Sequence, residues 1–238
     1  RFYLVSQRTD HSLHRFIGYL SLQNLYGNET PTYGNRKKEI RCPLMDNKFL
    51  DESINYYRDK IKQFGSSAEG MDWKNSDTQY LRFEVISRYI DFSTRPSVLD
   101  VGCGNGEFNN YIRQSSKAIV YSGIDAVPEM VSLTNERFGA DTASLHDLLS
   151  WDSEKRYDYV IASGTFNAKL SATDEEWQEY FYGNIKKMFS MANKAVIFNC
   201  MTSFVDYRYD RLYYPTVQEL SDFAVKNLSR KFIIDHSY

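Results

Sequence analysis

Apolar positions along the chain change rhythm near residue 97. Before that point they recur every three to four residues, over stretches long enough for helices. One helix is predicted over residues 48–64, with Phe49, Ile54, Tyr57 and Ile61 on its apolar side, and GSSAEG ends it. A second is predicted over 77–89, opened by Ser76 or Asp77 as a cap. Its apolar face is Leu81, Val85 and Tyr89, with Phe83 and Ile86 beside them, and Pro96 bars any continuation. From Ser97 onward, short β-branched runs alternate with longer helical stretches. Strands are predicted over 97–101, 119–124, 142–145, 157–162, 195–200 and 231–235, and helices over 106–114, 128–138, 174–191 and 216–228. This alternation predicts an α/β fold, a Rossmann-like doubly wound and mostly parallel sheet.

The first 45 residues are harder to read. His11 to Gly27 carries Leu13, Ile17, Leu20 and, less regularly, Leu25 on one face, which predicts a helix. The following GNETPTYGNRKKEIRCP is loop-like, and its basic run Arg36, Lys37, Lys38 reads as solvated surface. The expected organisation is an N-terminal helical extension or lid over 1–74 and a ligand-binding domain over 75–238.

Composition narrows the function. A net charge of -2 over 238 residues gives no basic face for nucleic acid, so none is expected as a partner. No apolar run is long enough to span a bilayer. Cys42, Cys103 and Cys200 are too scattered for a disulfide framework or a metal cluster, so no metal is expected and a reducing, cytoplasmic setting is the simplest. The chain starts at Arg1 without a secretory pattern, which suggests a piece of a longer protein with further domains.

The chemistry gathers in VLDVGCGNGEF, residues 98–108. A strand enters a turn containing Gly102, Gly104 and Gly106, and the turn opens a helix. Glycines there let the main chain approach a ligand, and a helix N-terminus offers N–H groups. The dinucleotide fingerprint G-x-G-x-x-G would place glycine at 107, but Glu107 stands there. A carboxylate is a poor neighbour for pyrophosphate and a good one for a cationic ligand. The spacing therefore argues against a nicotinamide oxidoreductase.

LDVGCGNGEF resembles the first motif of class I S-adenosylmethionine-dependent methyltransferases, acidic-x-Gly-x-Gly-x-Gly. YSGID, ASLHDLL and YDYVIASG follow in that family's order, and the resemblance covers residues 75–238. It implies S-adenosylmethionine as cofactor and S-adenosylhomocysteine as product. The implied cofactor site is Asp100, Gly102, Cys103, Gly104, Asn105, Gly106, Asp125, Ala126, His146, Asp147, Leu148, Ser163 and Gly164. Asp125 would accept both ribose hydroxyls and Asp147 would meet the adenine amino group. Each has an alternative, Asp125 as a helix cap and Asp147 in a surface turn. Cys103 reads as a small residue between glycines, not a nucleophile.

Two further stretches, MDWKNSDTQYLRFEVI and FNCMTSFVDYRYDRLYYPT, resemble bacterial small-molecule or surface-glycan methyltransferases. They imply a small or sugar-containing acceptor, as in polysaccharide biosynthesis. Trp73, Gln79 and Arg82 then stand where an N-terminal helix can cover the cofactor. Arg82 is either a bidentate partner for the cofactor's carboxylate or a surface arginine. The acceptor pocket is expected at the ends of strands 157–162, 195–200 and 231–235. That nominates Ser163, Thr165, Phe166, Asn167, Asn199, Asp206, Tyr207, Asp235 and His236. His236 is the first choice of base by its intrinsic pKa, and Asp206 the second. Tyr207, Tyr209, Tyr213 and Tyr214 form either an aromatic wall or packing. Oxygen is the expected acceptor atom, nitrogen the next. Two alternatives remain: a nucleic-acid or protein methyltransferase, against which SGTFN replaces a Pro-Pro-aromatic motif, and a non-catalytic scaffold. The family's sheet has a seventh, antiparallel strand, and no sequence is left for it after KFIIDHSY. The expectation is a shortened domain, or a strand supplied from outside the chain.

Overall fold

The computed structural model describes residues 2–7 and 48–237. The helix predicted for His11 to Gly27, the loop after it, Arg36 to Lys38 and Cys42 lie outside these residues. The elements in chain order are β1 (Phe2–Gln7), α1 (Lys48–Phe64), α2 (Ser76–Arg88), β2 (Ser97–Val101), α3 (Glu107–Gln114), β3 (Val120–Asp125), α4 (Pro128–Phe138), β4 (Ala143–Leu145), β5 (Tyr157–Ala162), α5 (Asp174–Met191), β6 (Ala192–Cys200), α6 (Val217–Asn227) and β7 (Phe232–Asp235). A 3-10 turn, Glu69–Met71, links α1 to α2.

Seven strands form one sheet in the order β4-β3-β2-β5-β6-β1-β7. The first five are mutually parallel. The chain steps outward from β2 through β3 to β4, then returns to the other side of β2 as β5. The order therefore reverses between β2 and β5, and Asp100 is in register with Ile161 at that seam.

Burial on both faces explains why these strands read as near-continuous apolar runs. Val160 and Ala162 of β5 and Val196 and Phe198 of β6 face a core with Trp177, Phe181, Ile185 and Met188 of α5. Tyr159 and Ile161, with Ala195 and Ile197, face the opposite core, with Phe83, Val85 and Ile86 of α2 and Phe108 and Ile112 of α3. Phe181 is fully buried and meets Phe166, Phe198 and Tyr213 at ring distances of 5.6–5.7 Å. Capping fixes the helix starts. Thr173 with Glu176 opens α5, and Thr216 with Glu219 opens α6, both as reciprocal capping boxes. The cap of α2 is Asn75, which accepts the Thr78 N–H at 2.9 Å, one residue before Ser76 and two before Asp77, the caps expected from sequence.

The expectation of a missing seventh strand is overturned. The antiparallel position between β6 and β7 is filled by β1, from the start of the same chain. Its backbone pairs Leu4 with Phe198 on one side and with Ile234 on the other. The physical reason is the run Phe2-Tyr3-Leu4-Val5, aromatic and branched residues suited to a strand. Without it, β6 and β7 would each present an open edge. The first residues thus belong to the sheet and not to a helical extension. A proline at Leu4 would remove a ladder donor from a strand paired on both sides. Leu4→Pro should lower the melting temperature, by about 2–4 °C for each kcal/mol lost in a chain of this size. It should also speed amide exchange in 195–200 and 232–235, read by hydrogen–deuterium exchange.

Candidate functional site

The ends of β2, β3 and β5 open into one cavity at the seam where strand order reverses. The glycine turn after β2 forms its floor. Most of the N–H groups in that turn are already engaged. Gly102 and Cys103 donate to the Ile124 carbonyl at 2.9 and 3.0 Å, Gly104 to Asp125 Oδ2 at 2.9 Å, and Gly106 to the Cys103 carbonyl at 3.0 Å. What the turn chiefly offers a ligand is close approach. Gly102 has φ +68°, and a Cβ there would fall 2.5 Å from the Thr165 methyl. Thr165 in turn donates its hydroxyl to the Val101 carbonyl at 2.9 Å, which locks the turn against the loop after β5.

Three carboxylates meet at this floor, in three different states. Asp100 is 3% exposed, and burial pushes its pKa up to about 7. The hydroxyl of Tyr121, donating at 2.9 Å, works against that rise, and the charge of Asp125 adds to it. Asp125 is also raised by burial, opposed by the N–H groups of Val127 and Gly104. The Ala126 N–H adds a third bond, and a carboxylate with about four lone-pair sites keeps capacity for a further donor. Glu107 differs. Burial alone would raise it, but Asn110, Tyr80 and Arg137 hold it below the ordinary carboxylate value. Its charge is therefore committed within the protein. Burial pushes the Cys103 thiol well up, leaving it protonated.

At one end of the cavity lie Ala126, His146, Asp147 and Leu148, backed by Trp177, Tyr180 and Asn184 of α5. His146 stacks on Trp151 at 4.8 Å, and Asp147 Oδ2 accepts the Ser150 N–H at 3.1 Å, so the turn expected as its alternative role is present. Across the floor lie Ser163 and Gly164. A Cβ on Gly164 would meet the Trp73 ring at 2.7 Å, so Trp73 closes directly over this turn. The Ser163 hydroxyl is buried without a hydrogen-bond partner among the described residues. α1 covers this side, where its Ile54 and Tyr57 pack with Met71 and Trp73 against Val127 and Met130.

The predicted residues divide clearly. Asp100, Gly102, Cys103, Gly104, Asn105, Asp125, Ala126, His146, Asp147, Leu148, Ser163, Gly164, Trp73, Gln79, Thr165, Phe166 and Asn167 share this cavity. Gly106 sits just behind it, against Phe138 and Thr134. Arg82 donates to the Thr78 carbonyl at 2.8 Å and lies over the Trp73 ring, outside the lining. Asn199 serves the loop beneath, with Oδ1 accepting the Gly164 N–H at 2.7 Å. Asn167 joins the same two loops, accepting from Met201 N and donating to the Gly164 carbonyl.

His236, Asp235, Asp206 and Tyr207 are not in the lining. With β1 in place, β7 is the third strand out from β5, about 14 Å away at ordinary strand spacing. His236 packs edge-on to Phe204, and Asp235 accepts the Tyr89 hydroxyl. Asp206 and Tyr207 are exposed, Tyr209 pairs edge-on with Tyr207, and Tyr213 is buried against Phe181. Lining residues that sequence reasoning missed include Leu50, Ser53, Ile54 and Tyr57 of α1, Asp72, the α5 stripe Trp177, Tyr180 and Asn184, and Met201, Arg211 and Leu212. Helical spacing marked the first group and the stripe, but that spacing also describes ordinary core.

A family profile described as "Methyltransferase domain" matches residues 56–217, most of the chain and all of this cavity's floor. The chain belongs to the methyltransferase-domain family. By that membership and its fold it is a class I, S-adenosylmethionine-dependent methyltransferase. It is 31% identical over 153 residues to "Putative methyltransferase Rv1506c" of Mycobacterium tuberculosis, spanning 63% of this chain and 92% of that protein. It is 31% identical over 85 residues to trans-aconitate 2-methyltransferase of the same species, 36% of this chain and 31% of that one. Among solved structures, magnesium protoporphyrin IX methyltransferase of Synechocystis with bound S-adenosylhomocysteine shares the fold. The TM-score is 0.52 at 18% identity, over 76% of this chain and 86% of that one.

In this methyltransferase the raised pKa of Asp100 makes a checkable demand on stability. The unfolded carboxyl loses its proton near 4, and the folded one keeps it until about 7. The folded state binds more protons between those values, so this group's stabilisation is present at low pH and is lost as pH rises through 7. Asp100→Asn removes that dependence. Urea unfolding of the ligand-free proteins should show the wild type losing a few kcal/mol relative to the variant between pH 4 and pH 8. An unchanged difference across that range would contradict the assigned state of Asp100.

Proposed function

We propose that this cavity holds S-adenosylmethionine along the ends of β2, β3 and β5 and delivers its methyl group to an oxygen of a small-molecule acceptor entering beneath α1. The observation that carries the reading is the convergence on one floor of Asp125, whose carboxylate keeps acceptor capacity beyond its N–H bonds, Asp100, poised between charged and neutral, and the Ser163 hydroxyl, buried with no partner among the described residues. These groups fit the cofactor. Asp125 takes the two ribose hydroxyls. His146, Asp147 and Leu148 take the adenine, Asp100 faces the cationic methionine portion, and the Ser163–Gly164 turn takes the end nearest the methyl.

When bound, the cofactor supplies a methyl carbon on a sulfonium; an acceptor lone pair forms the new bond as the carbon–sulfur bond breaks, leaving neutral S-adenosylhomocysteine. The protein's share is placement. Holding two reactants in line is worth up to about 7–11 kcal/mol. Trp73 over Gly164, and α1 over Met71 and Val127, keep bulk water from the reacting end. Proton removal is poorly served there. Burial, then the neighbouring Asp72 charge, push the Tyr57 hydroxyl above its ordinary value, so it holds its proton. Asp72 itself is engaged by Lys60 and Arg211. This supports an acceptor oxygen that is already ionised, which attacks without a proton to lose and so needs no general base from the protein. The resemblance to an enzyme named for trans-aconitate supports a small acceptor.

Calorimetric titration with S-adenosylmethionine, S-adenosylhomocysteine and NAD tests the donor half. Micromolar binding of the first two is expected, with none of NAD. Asp125→Ala should weaken binding by at least about tenfold, since it removes a charged acceptor from two hydroxyls. Equal affinity in a folded Asp125→Ala protein would remove this reading.

A further inference from the structure

The acceptor end of the cavity differs in charge from the rest. Five carboxylates line the cavity as a whole: Asp72, Asp100, Glu107, Asp125 and Asp147. Among the described residues, Arg211 is the only lysine or arginine in the lining. It stands at the edge beside α1, where Asp72 is the nearby acid. Asp72 Oδ1 takes Lys60 Nζ at 3.0 Å, and Asp72 Oδ2 takes Arg211 Nη1 at 3.3 Å. Two cations share one carboxylate, so these three groups together carry one surplus positive charge.

The bonds of Arg211 leave one side of its guanidinium available. Nη1 makes both described contacts, to Asp72 and to Tyr56 Oη, each at 3.3 Å. Nε and Nη2 make none among the described residues. Those two donors form a planar fork that matches a carboxylate or phosphate with two parallel bonds. The position of the arginine is fixed by the main chain. Its carbonyl accepts the Leu170 N–H at 3.1 Å, Leu212 pairs with Ala168, and Tyr213 N donates to the Asn167 carbonyl at 2.9 Å. Ala168 is four residues past Gly164, a span of at most about 14 Å of extended chain. A handle at Arg211 and a reacting atom beside Ser163–Gly164 can therefore belong to one small molecule.

We infer that the acceptor carries an oxyanion, a carboxylate or a phosphate monoester, gripped by the Nε–Nη2 edge of Arg211 at the mouth of the cavity. This rests on reading the cavity as the methyl-transfer site. An amine at the same place would meet the surplus positive charge. A neutral group would leave the fork unmatched. Arg211 acts here as a specificity-determining residue, remote from the bond that changes.

The test measures S-adenosylhomocysteine release with small carboxylic acids and sugar phosphates, each paired with its methyl ester or dephosphorylated form, and with simple amines. Wild type, Arg211→Gln and Arg211→Lys are compared, and calorimetry follows S-adenosylhomocysteine affinity in each. Turnover is expected with oxyanionic members only, and the acid and phosphate arms identify which oxyanion is used. Arg211→Gln should lower kcat/KM by at least about tenfold, chiefly through KM, with partial recovery in Arg211→Lys and product affinity within about twofold. Turnover favouring neutral or amine members would overturn the inference. So would no turnover of any oxyanion by protein that binds S-adenosylhomocysteine. A fall in product affinity in Arg211→Gln would assign the arginine to the cofactor's own carboxylate. Failure of the wild type to bind S-adenosylhomocysteine would instead remove the donor reading beneath it.

Discussion

Burying a carboxylate raises its free energy unless hydrogen bonds or a cation meet it, and this sheet buries two at adjoining strand ends. Asp100 and Asp125 end neighbouring parallel strands, and among the described residues neither has a lysine or arginine bonded to it. The surrounding structure answers that cost only in part, through the Tyr121 hydroxyl and the N–H groups of Gly104 and Val127. The glycine turn must curl as it does to bring the Gly104 N–H to Asp125. Thr165 must close over Gly102, and Asn199 must hold Gly164 beneath Trp73. The part left unanswered is what a ligand with hydroxyls and a positive charge can supply. A ligand that supplied them would stabilise the pair on binding, and would thereby couple stability to its occupancy.

How legible the molecule was from sequence follows from where each signal resides. The parallel strands were legible because burial on both faces leaves an unbroken apolar run, as in Val98 to Val101 and Tyr157 to Ala162. The donor half of the site was legible for a related reason. Its residues sit in short loops immediately after those strands, so finding the strand finds the loop. β1 was not legible. Its pairing spans almost the whole chain, and a run of four apolar residues far from its partners carries no mark of which sheet position it fills. That one insertion also explains the misplaced histidine. His236 does end a strand, as expected, but β1 sets that strand beyond reach of the cavity.

The acceptor half was hidden by long-range assembly. Tyr57 lies on the same helical stripe as Ile54 and Ile61, where an aromatic residue reads as core. Arg211 lies in a tyrosine-rich stretch with no regular period. It reaches the cavity only because Leu212 pairs with Ala168 and α1 presents Tyr56 and Asp72 nearby. No local pattern encodes such a meeting of three segments.

The two halves also differ in how they are held. The donor floor is tied by main-chain bonds and buried side chains, and a change there disturbs the sheet itself. The acceptor mouth is tied by ion pairs at a partly exposed edge, Arg58 to Glu129 and Lys60 and Arg211 to Asp72, each weak by itself in water. Beside these weak ties, α1 is held to the cavity by the packing of Ile54 and Tyr57 with Val127 and Met130. The same exposure lets residues at positions such as 56 and 211 change with little effect on the fold. A fixed donor floor under an adjustable rim is a physical route by which one sheet can keep its cofactor while its acceptor changes.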